Sequence, residues 1–174
     1  MEIKITDATP DDVLGIQKVF HKTWVATYPN EEHRITLEDI EHRFKDAYAE
    51  ERLNKRREEI LTMGSNAKML VARDGQEVVG LCRMNKNPEK NQIHAIYVLP
   101  EYQGKGIGTM FWKEALNFFD AKKDIVVEVA TYNKKAISFY SKLGFADTGK
   151  RFTEDRLRMR NGADLPEMEM RIRR

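Results

Sequence analysis

The first third of the chain changes from strand-like to helix-like spacing of its apolar residues. Residues 2–6 alternate between polar and apolar side chains, which predicts a short strand. Apolar residues then recur at helical spacing through 13–24, after a polar turn in which Asp7 or Thr9 can cap the helix. The charged segment 37–63 keeps apolar residues at helical intervals and predicts one or two further helices.

The central part of the chain has the apolar period of strands. Residues 68–73 and 77–84 flank an Asp-Gly-Gln turn and predict a β-hairpin. A third strand is predicted at 92–99, followed by a helix to about residue 121 and a buried, β-branched strand at 124–131. Because a helix separates the last two strands, we expect them to pair in parallel.

The last third of the chain predicts one helix followed by two strands. Asn133 can cap a short helix that ends at Gly144, in the position of a C′ glycine. The remaining residues suggest two strands around an Asn161-Gly162 turn. The order of elements indicates a single mixed α/β (α+β) domain over residues 1–174.

Composition and charge exclude several classes of function. Lys and Arg total 30 against 28 Asp and Glu, and the net charge of +2 gives no reason to expect a nucleic acid partner. No run approaches about 18 uncharged apolar residues, and the amino terminus lacks the apolar stretch of a signal peptide. We therefore expect a cytoplasmic protein without a membrane partner. Cys82, the single cysteine, is interpreted as a small strand residue rather than a nucleophile, and the scattered histidines predict no metal site.

A glycine-rich loop joins the third predicted strand to the helix after it. Gly104, Gly106 and Gly108 stand where a helix amino terminus offers free N–H groups and the positive end of its dipole. Glycine also lets a bulky anion approach the main chain without meeting a Cβ. A flexible loop is the plainer alternative, but such loops rarely lie between a buried strand and an immediate helix. The pattern therefore predicts a phosphate or pyrophosphate cradle.

The spacing of the loop rejects two common nucleotide motifs. A P-loop needs Ser or Thr after Gly-Lys, and here Gly106 follows Lys105. The dinucleotide fingerprint places its third glycine one residue later than Gly108, and it normally follows the first strand of a parallel sheet. The cradle is therefore expected to bind another phosphate compound.

Two motifs resemble those of the GNAT acyl-CoA-dependent N-acetyltransferases. QGKGIG at 103–108 is similar to the family's Q/R-x-x-G-x-G/A signature, and Asn133, Ala136 and SFYSKLGF at 138–145 are similar to its second motif. The two occur in order, with a strand between them. The resemblance implies a GNAT-like fold with a central mixed, mostly antiparallel sheet flanked by helices. It also implies acetyl-CoA as co-substrate, without a metal, bound by a core at 92–149.

The resemblance further implies which residues bind the coenzyme. Backbone N–H groups of the glycine loop would bind the pyrophosphate, and the strand before it would splay from its neighbour so that its main chain pairs with the pantetheine amides. Asn133 would contact the pantetheine arm; its alternative is a simple N-cap, and it can serve as both. The expected coenzyme-binding residues are Ile96, Tyr97, Val98, Gln103, Gly104, Lys105, Gly106, Ile107, Gly108, Thr109, Asn133, Ala136 and Tyr140.

Acetyl transfer to an amine needs a proton donor and a proton acceptor. Tyr140 matches the tyrosine that the family uses as general acid, and a phenol of pKa ~10 can donate to a thiolate of pKa ~8.5; its alternative is a packing aromatic. His94 and Glu128 are candidates for the base, with a water chain as the alternative. Strand alternation groups His94 with Ile96 on one face and Tyr97 on the other, so His94 and Tyr97 share a pocket only if a bulge intervenes.

The acceptor is indicated by a resemblance at subfamily level. TWVATYPN at 23–30, the segment 81–108 and the ending 150–173 resemble the PaiA-type spermidine/spermine acetyltransferases. The resemblance implies a small-molecule polyamine acceptor, with Tyr28, Glu31 and Tyr97 as pocket residues. A protein N-terminal or ribosomal-protein acetyltransferase is the alternative within the enzyme class. A non-catalytic acyl-CoA-binding regulatory domain is the alternative outside it, and a homodimer is a further expectation.

The predicted acceptor-side helices, 30–66, are acidic. Residues 31–60 carry ten Asp or Glu against seven Lys or Arg, a local charge of −3. An acidic wall would favour a cationic amine, whereas the plainer interpretation is a solvated helix face.

Overall fold

One mixed sheet organises residues 2–174, which the computed structural model describes. Its strands are β1 (Ile3–Asp7), β2 (Ala67–Asp74), β3 (Glu77–Lys86), β4 (Asn91–Val98), β5 (Ile125–Ala130), β6 (Ala146–Phe152) and β7 (Glu167–Ile172). The strand order is β1-β2-β3-β4-β5-β7-β6, and each neighbouring pair is antiparallel except β4 and β5. The mixed, mostly antiparallel sheet confirms the predicted fold class, and the parallel pair confirms the predicted crossover.

The helices lie where the apolar periodicity places them. They are α1 (Val13–Thr27), α2 (Leu37–Arg43), α3 (Glu50–Leu61), α4 (Ile107–Phe118) and α5 (Lys134–Lys142). Segment 37–63 therefore forms two helices, and α5 has the predicted Asn133 cap and a left-handed Gly144 (φ 99°) after it. No helix within residues 2–174 is both long and apolar enough to cross a membrane.

Helices cover both faces of the sheet. On one face α1 packs so closely that a Cβ on Gly15 would come within 2.6 Å of the Val78 side chain. On the other face Gly80 leaves room for Phe111 of α4, whose ring would lie 3.2 Å from a Cβ. A bulge at Val79 turns these two β3 residues to opposite faces. We call these faces the α1 face and the α4 face.

The core has two parts with different positions in the fold. The larger part joins the central strands to α1 and α4, where Ile16 and Phe111 are fully buried, each contributing about 1.5–3 kcal/mol. The smaller part joins the end of α1 to α2 and to the segment 153–166 over the end of β5. It contains Trp24, Tyr28, Ile35, Ile40, Ala130, Leu157, Met159 and Leu165.

Two predicted boundaries are wrong. α4 ends at Phe118 rather than near residue 121, because the buried Asn91 side chain binds the following loop through the carbonyls of Asp120 (2.8 Å) and Lys123 (3.0 Å). β6 and β7 are not joined by a tight Asn161-Gly162 turn. That turn forms inside segment 153–166, where the Gly162 N–H donates to the Met159 carbonyl at 3.0 Å.

Candidate active site

The parallel strands β4 and β5 separate partway along their length. Their pairing runs only from Asn91↔Ile125 to Ile93↔Val127, although β4 stays paired with β3 as far as Val98. The main chain of β4 beyond Ile93 therefore has no β5 partner within residues 2–174. This gap is the splay that the resemblance implied around Ile96 to Val98.

A β-bulge lies at His94, beside the splay. In the register of β3 with β4, Arg83 opposes Ala95 whereas Met84 opposes Ile93, so His94 is an extra residue in β4. A bulge rotates the strand that carries it, and every side chain beyond it changes face.

The bulge corrects the predicted grouping of side chains. Ile93 and Ile96 lie together on the α4 face, while Tyr97 lies on the α1 face with Glu128. The prediction that His94 shares a face with Ile96 is wrong, because alternation in the sequence does not reveal an inserted residue. His94 and Tyr97 both lie within electrostatic reach of Arg156, so they border the same region of the α1 face, which is the predicted acceptor pocket.

The glycine loop has the backbone that a phosphate cradle requires. Gly104 (φ 77°) and Gly106 (φ 81°) adopt the left-handed region, and a Cβ on either would meet no atom within 4 Å. Gly106 is the N-cap of α4, so the N–H groups of Ile107 and Gly108 begin a helix whose first turn has no internal acceptors. A side chain at Gly104 or Gly106 would strain the backbone and fill the open space beside the loop.

The third glycine serves packing. A Cβ on Gly108 would stand 3.0 Å from the Phe139 ring, so this glycine lets α4 approach α5. Position 108 is therefore a glycine because of this packing, and not, as predicted, because a side chain there would meet the bound anion. The Gln103 side chain closes the loop by donating to the Val98 carbonyl at 3.1 Å, and the Lys105 ammonium lies 4.7 Å from the centre of the Tyr102 ring.

Asn133 and Ala136 form the predicted cap at the start of α5. The Asn133 side-chain oxygen accepts a hydrogen bond from the Ala136 N–H at 3.1 Å. This confirms the N-cap alternative and leaves the pantetheine contact as a prediction for the side-chain N–H₂ group. In the loop, Ile107 is buried and Thr109 is exposed, so Ile107 contributes to the cradle through its main chain alone.

Tyr140 is a buried phenol between two aromatic rings. It is 4% exposed, with ring centres 5.2 Å from Phe139 and 5.4 Å from Phe145. Burial, followed by the neighbouring Cys82 and Tyr97, raises the pKa of the Tyr140 hydroxyl well above its ordinary value. The Tyr140 hydroxyl therefore stays protonated at physiological pH. Complete proton transfer from it to a thiolate costs more free energy than the ordinary pKa of a phenol implies.

Two tyrosine hydroxyls meet on the α1 face beside the splay. The hydroxyl oxygens of Tyr28 and Tyr97 lie 3.2 Å apart, and the Tyr132 hydroxyl donates to the Tyr28 carbonyl at 2.8 Å. Burial raises the pKa of both Tyr28 and Tyr97, so the pair remains neutral. The structure thus brings together two of the three predicted pocket residues.

Carboxylates converge on the same face. Glu128 of β5 and Glu167 of β7 share it because Ala130, two residues after Glu128, opposes Glu167 in the sheet. Burial first, then Glu154 and Glu128, raises the pKa of Glu167 to about 7; burial first, then Glu154, also raises that of Glu128. Within residues 2–174 no three His, Cys, Asp or Glu side chains are arranged to hold a metal ion.

The other predicted pocket residues lie further out. His94 is on the exposed side of the pocket, where partial burial and then the charges of Arg83 and Arg156 lower its pKa. Glu31 is exposed and lines a separate open groove with Arg34 and Asn161. It therefore does not join the carboxylates of the α1 face.

The acids of the acceptor-side helices support the plainer interpretation. Glu38 pairs with Arg160 at 2.6 Å and Glu41 with His21 at 2.8 Å, both at the surface. Both acids therefore lie on solvated helix faces beside basic partners.

Hydrogen bonds hold segment 153–166 against α2 and the α1–α2 connection. The Arg43 guanidinium donates to the Arg156 carbonyl and lies 5.0 Å from the Trp24 ring centre. The Asn161 side chain donates to the Arg34 carbonyl at 2.8 Å. Both contacts join residues more than a hundred positions apart.

Sequence reasoning missed four residues of this pocket: Glu154, Arg156, Tyr132 and Glu167. The alternation of EMEM at 167–170 shows that Glu167 and Glu169 share a face, but only the β5–β7 pairing places that face in the pocket. One signal could have identified Glu167. It is an acidic residue in a strand that the neighbouring central strand, β5, helps to bury.

Comparison with known proteins agrees with this geometry. A sequence model described as the Acetyltransferase (GNAT) family matches residues 24–145. The N-alpha-acetyltransferase RimI of Mycobacterium tuberculosis is 38% identical over 85 residues, which cover 46% of this chain and 52% of that protein. A probable N-acetyltransferase of the same organism is 30% identical over 109 residues, covering 61% of this chain and 60% of that one. The chain thus spans about half the length of these curated relatives.

Solved structures share the fold over the whole chain. The PaiA N-acetyltransferase from Thermoplasma acidophilum, solved in complex with coenzyme A, has a TM-score of 0.75 at 24% identity and covers 100% of both chains. The ribosomal-protein alanine N-acetyltransferase of Escherichia coli has a TM-score of 0.65 at 13% identity, covering 98% of this chain and 93% of the other. At these identities the similarity shows the fold alone.

Proposed function

This chain belongs to the GNAT acetyltransferase family and is an acyltransferase, and from that premise we propose that it transfers the acetyl group of acetyl-CoA to a cationic primary amine. The amine nitrogen attacks the thioester directly, without a covalent enzyme intermediate. The proposed acceptor is a polyamine such as spermidine or spermine.

The glycine loop supports acetyl-CoA as the donor. The left-handed Gly104 and Gly106 leave open space beside the first turn of α4, where backbone N–H groups suit a pyrophosphate. The main chain of Ile96 to Val98, unpaired on its β5 side, suits the amides of a pantetheine arm. The coenzyme A complex of the Thermoplasma protein, which has the same fold, agrees with this assignment.

The observation that carries the acceptor class is the set of carboxylates on the α1 face. Glu154 lies close enough to Glu128 and Glu167 for its charge to raise the pKa of both, and the charge of Glu128 also raises that of Glu167. The neutral hydroxyls of Tyr28 and Tyr97 border them and accept or donate hydrogen bonds. Several carboxylates in one partly desolvated pocket favour a ligand with several positive charges, which a polyamine provides.

The proposed chemistry uses the two sides of the splay. Tyr140, on the α5 side, donates a hydrogen bond to the departing sulfur, because its raised pKa keeps the hydroxyl protonated. On the α1 face a base takes the ammonium proton before the nitrogen can attack. His94 and Glu128 are the bases predicted from the sequence, and both border this pocket.

Release of free thiol from acetyl-CoA tests the proposal. Purified protein is incubated with acetyl-CoA and with spermidine, spermine, an aminoglycoside, or a peptide with an amino-terminal alanine. We expect the fastest release with the polyamines. Thiol release with none of the amines would instead favour an acyl-CoA-binding module without catalysis.

A peptide amino terminus is the second candidate acceptor. The observation that favours it is the 38% identity to RimI over 85 residues. In the same assay, faster turnover of the peptide than of either polyamine would assign the chain to this activity.

A further inference from the structure

Glu167 is a buried carboxylate without a protein partner for one of its oxygens. The residue is 8% exposed, and its Oε2 atom is buried and accepts no hydrogen bond from residues 2–174. Burying an unpaired carboxylate costs free energy, so packing does not explain it. Glu169, two residues along the same face and 4% exposed, is different, because it pairs with Arg171 at 3.0 Å and Lys150 at 3.6 Å.

Glu167 lies on the α1 face, where the hydroxyls of Tyr28 and Tyr97 meet. It begins β7 opposite Ala130 at the end of β5, beyond the level at which β4 leaves β5. Its charge raises the pKa of both Tyr28 and Tyr97, whose hydroxyls are 3.2 Å apart. The unpartnered carboxylate therefore lies on the α1 face, within electrostatic reach of the tyrosine pair.

We infer that Glu167 accepts the proton of the acceptor's ammonium group, an assignment that rests on the proposed function. One proton moves from nitrogen to the Glu167 carboxylate, and the neutral amine attacks the thioester carbon. A C–N bond forms and the C–S bond breaks, with its electron pair leaving on sulfur. The Tyr140 hydroxyl gives its proton to the thiolate and is reprotonated by the second nitrogen proton. Glu167 then returns its proton to solvent.

The charges around each candidate base separate Glu167 from the other two. His94 faces three cations, Arg83, Arg156 and Lys90, against one acid, Glu154, and the cations repel an ammonium group. Glu128 faces two acids, Glu154 and Glu167, but also three cations, Lys90, Lys150 and Arg156.

Glu167 has the more acidic surroundings. It faces Glu154 on the β6–β7 segment, Glu128 on β5, and the cation Arg156, which is already paired with Glu154. The hydroxyls of Tyr28 and Tyr97 face it from α1 and β4. Burial and these carboxylates raise the pKa of Glu167 to about 7, close to the value that suits a base at neutral pH.

The pH dependence of kcat/KM for spermidine tests the assignment. For the wild type, kcat/KM should rise with pH through an apparent pKa near 7, because the ionised form of Glu167 is the active one. Glu167→Gln should remove that rise and lower kcat/KM at pH 8 by about a hundredfold or more, with unchanged coenzyme A affinity. The matched control, Glu169→Gln, should keep the rise.

Glu128→Gln distinguishes the two carboxylates. If Glu167 is the base, removing the negative charge of Glu128 lowers the pKa of Glu167, so the rise moves to lower pH. Loss of the rise in Glu128→Gln, with the rise retained in Glu167→Gln, would overturn the inference and make Glu128 the base.

A binding measurement separates failure of the inference from failure of the proposed function. Calorimetry with spermidine and coenzyme A at pH 8.5 needs no turnover. At least tenfold weaker spermidine binding by Glu167→Gln than by wild type and Glu169→Gln supports the assignment, even if acetyl transfer is absent. Equal binding by all three proteins, or no binding by the wild type, overturns it. Thiol release by the wild type, measured separately, decides the proposed function.

Discussion

The two sides of the splay are built in opposite ways. The proposed coenzyme side is local: β4, the glycine loop and α4 follow one another along the chain, with α5 a short distance further on. The proposed acceptor side is assembled from the end of α1, β5, segment 153–166 and β7, which are widely separated in sequence. A motif can specify the first kind of site, whereas only the complete fold specifies the second.

The chemistry of recognition differs in the same way. The coenzyme side offers main-chain groups, whose positions depend on the left-handed Gly104 and Gly106 and on the start of a helix. The acceptor side offers side chains such as Glu167 and Tyr28, whose charge state depends on burial by distant segments. Substitutions should therefore separate the two sides into binding of the coenzyme and use of the acceptor.

The largest expected effect breaks the coenzyme side alone. Gly106→Val places a β-branched side chain at φ 81° and in the open space beside the first turn of α4. We expect coenzyme A binding, measured by calorimetry, to fall below detection.

A matched control separates backbone strain from the loss of the cradle. Gly149→Val creates the same kind of strain at φ 82° in β6, the edge strand of the sheet. It should lower the melting temperature and leave coenzyme affinity unchanged. Coenzyme affinity retained by Gly106→Val would show that the loop does not bind the pyrophosphate.

The next effect lies where the two sides meet. Tyr140→Phe removes the hydroxyl but keeps the ring between Phe139 and Phe145. Turnover should fall at least about tenfold while acetyl-CoA binding is retained, because a hydrogen bond to the leaving sulfur is lost. Tyr48→Phe, at an exposed tyrosine near His21, is the control. Normal turnover of Tyr140→Phe would remove this residue from the mechanism.

The sequence predicted the local structure of the proposed coenzyme side more fully than that of the proposed acceptor side. Local rules identify the glycine loop, the Asn133 cap and the hairpin, because turn and cap residues act within a few positions. Local rules do not reveal the bulge at His94, because an extra residue is defined only by the register of a neighbouring strand. Glu167 escaped them for the same reason, because β7 is buried against β5 only in the folded sheet.

A smaller effect should appear on the acceptor side alone. Arg43→Met removes the donor to the Arg156 carbonyl but keeps an apolar chain over Trp24. Loss of one such hydrogen bond, about 1 kcal/mol, corresponds to about a fivefold rise in the KM of the acceptor. Steady-state kinetics should show this rise with unchanged coenzyme affinity. Lys45→Met, on an exposed lysine, is the control, and a change in coenzyme affinity alone would contradict the separation of the two sides.

The smallest effect is expected at Cys82, on the α4 face near Tyr140. The thiol is fully buried and burial raises its pKa to about 12, so almost none of it is the thiolate that a nucleophile requires. Cys82→Ala should leave turnover within about twofold and lower the free energy of unfolding by about 1 kcal/mol, the cost of a small cavity. Denaturant unfolding and thiol release measure the two quantities. A loss of turnover with an intact fold would indicate a covalent route through Cys82, and the neutral amine formed beside Glu167 would then attack an acylated enzyme instead of the coenzyme.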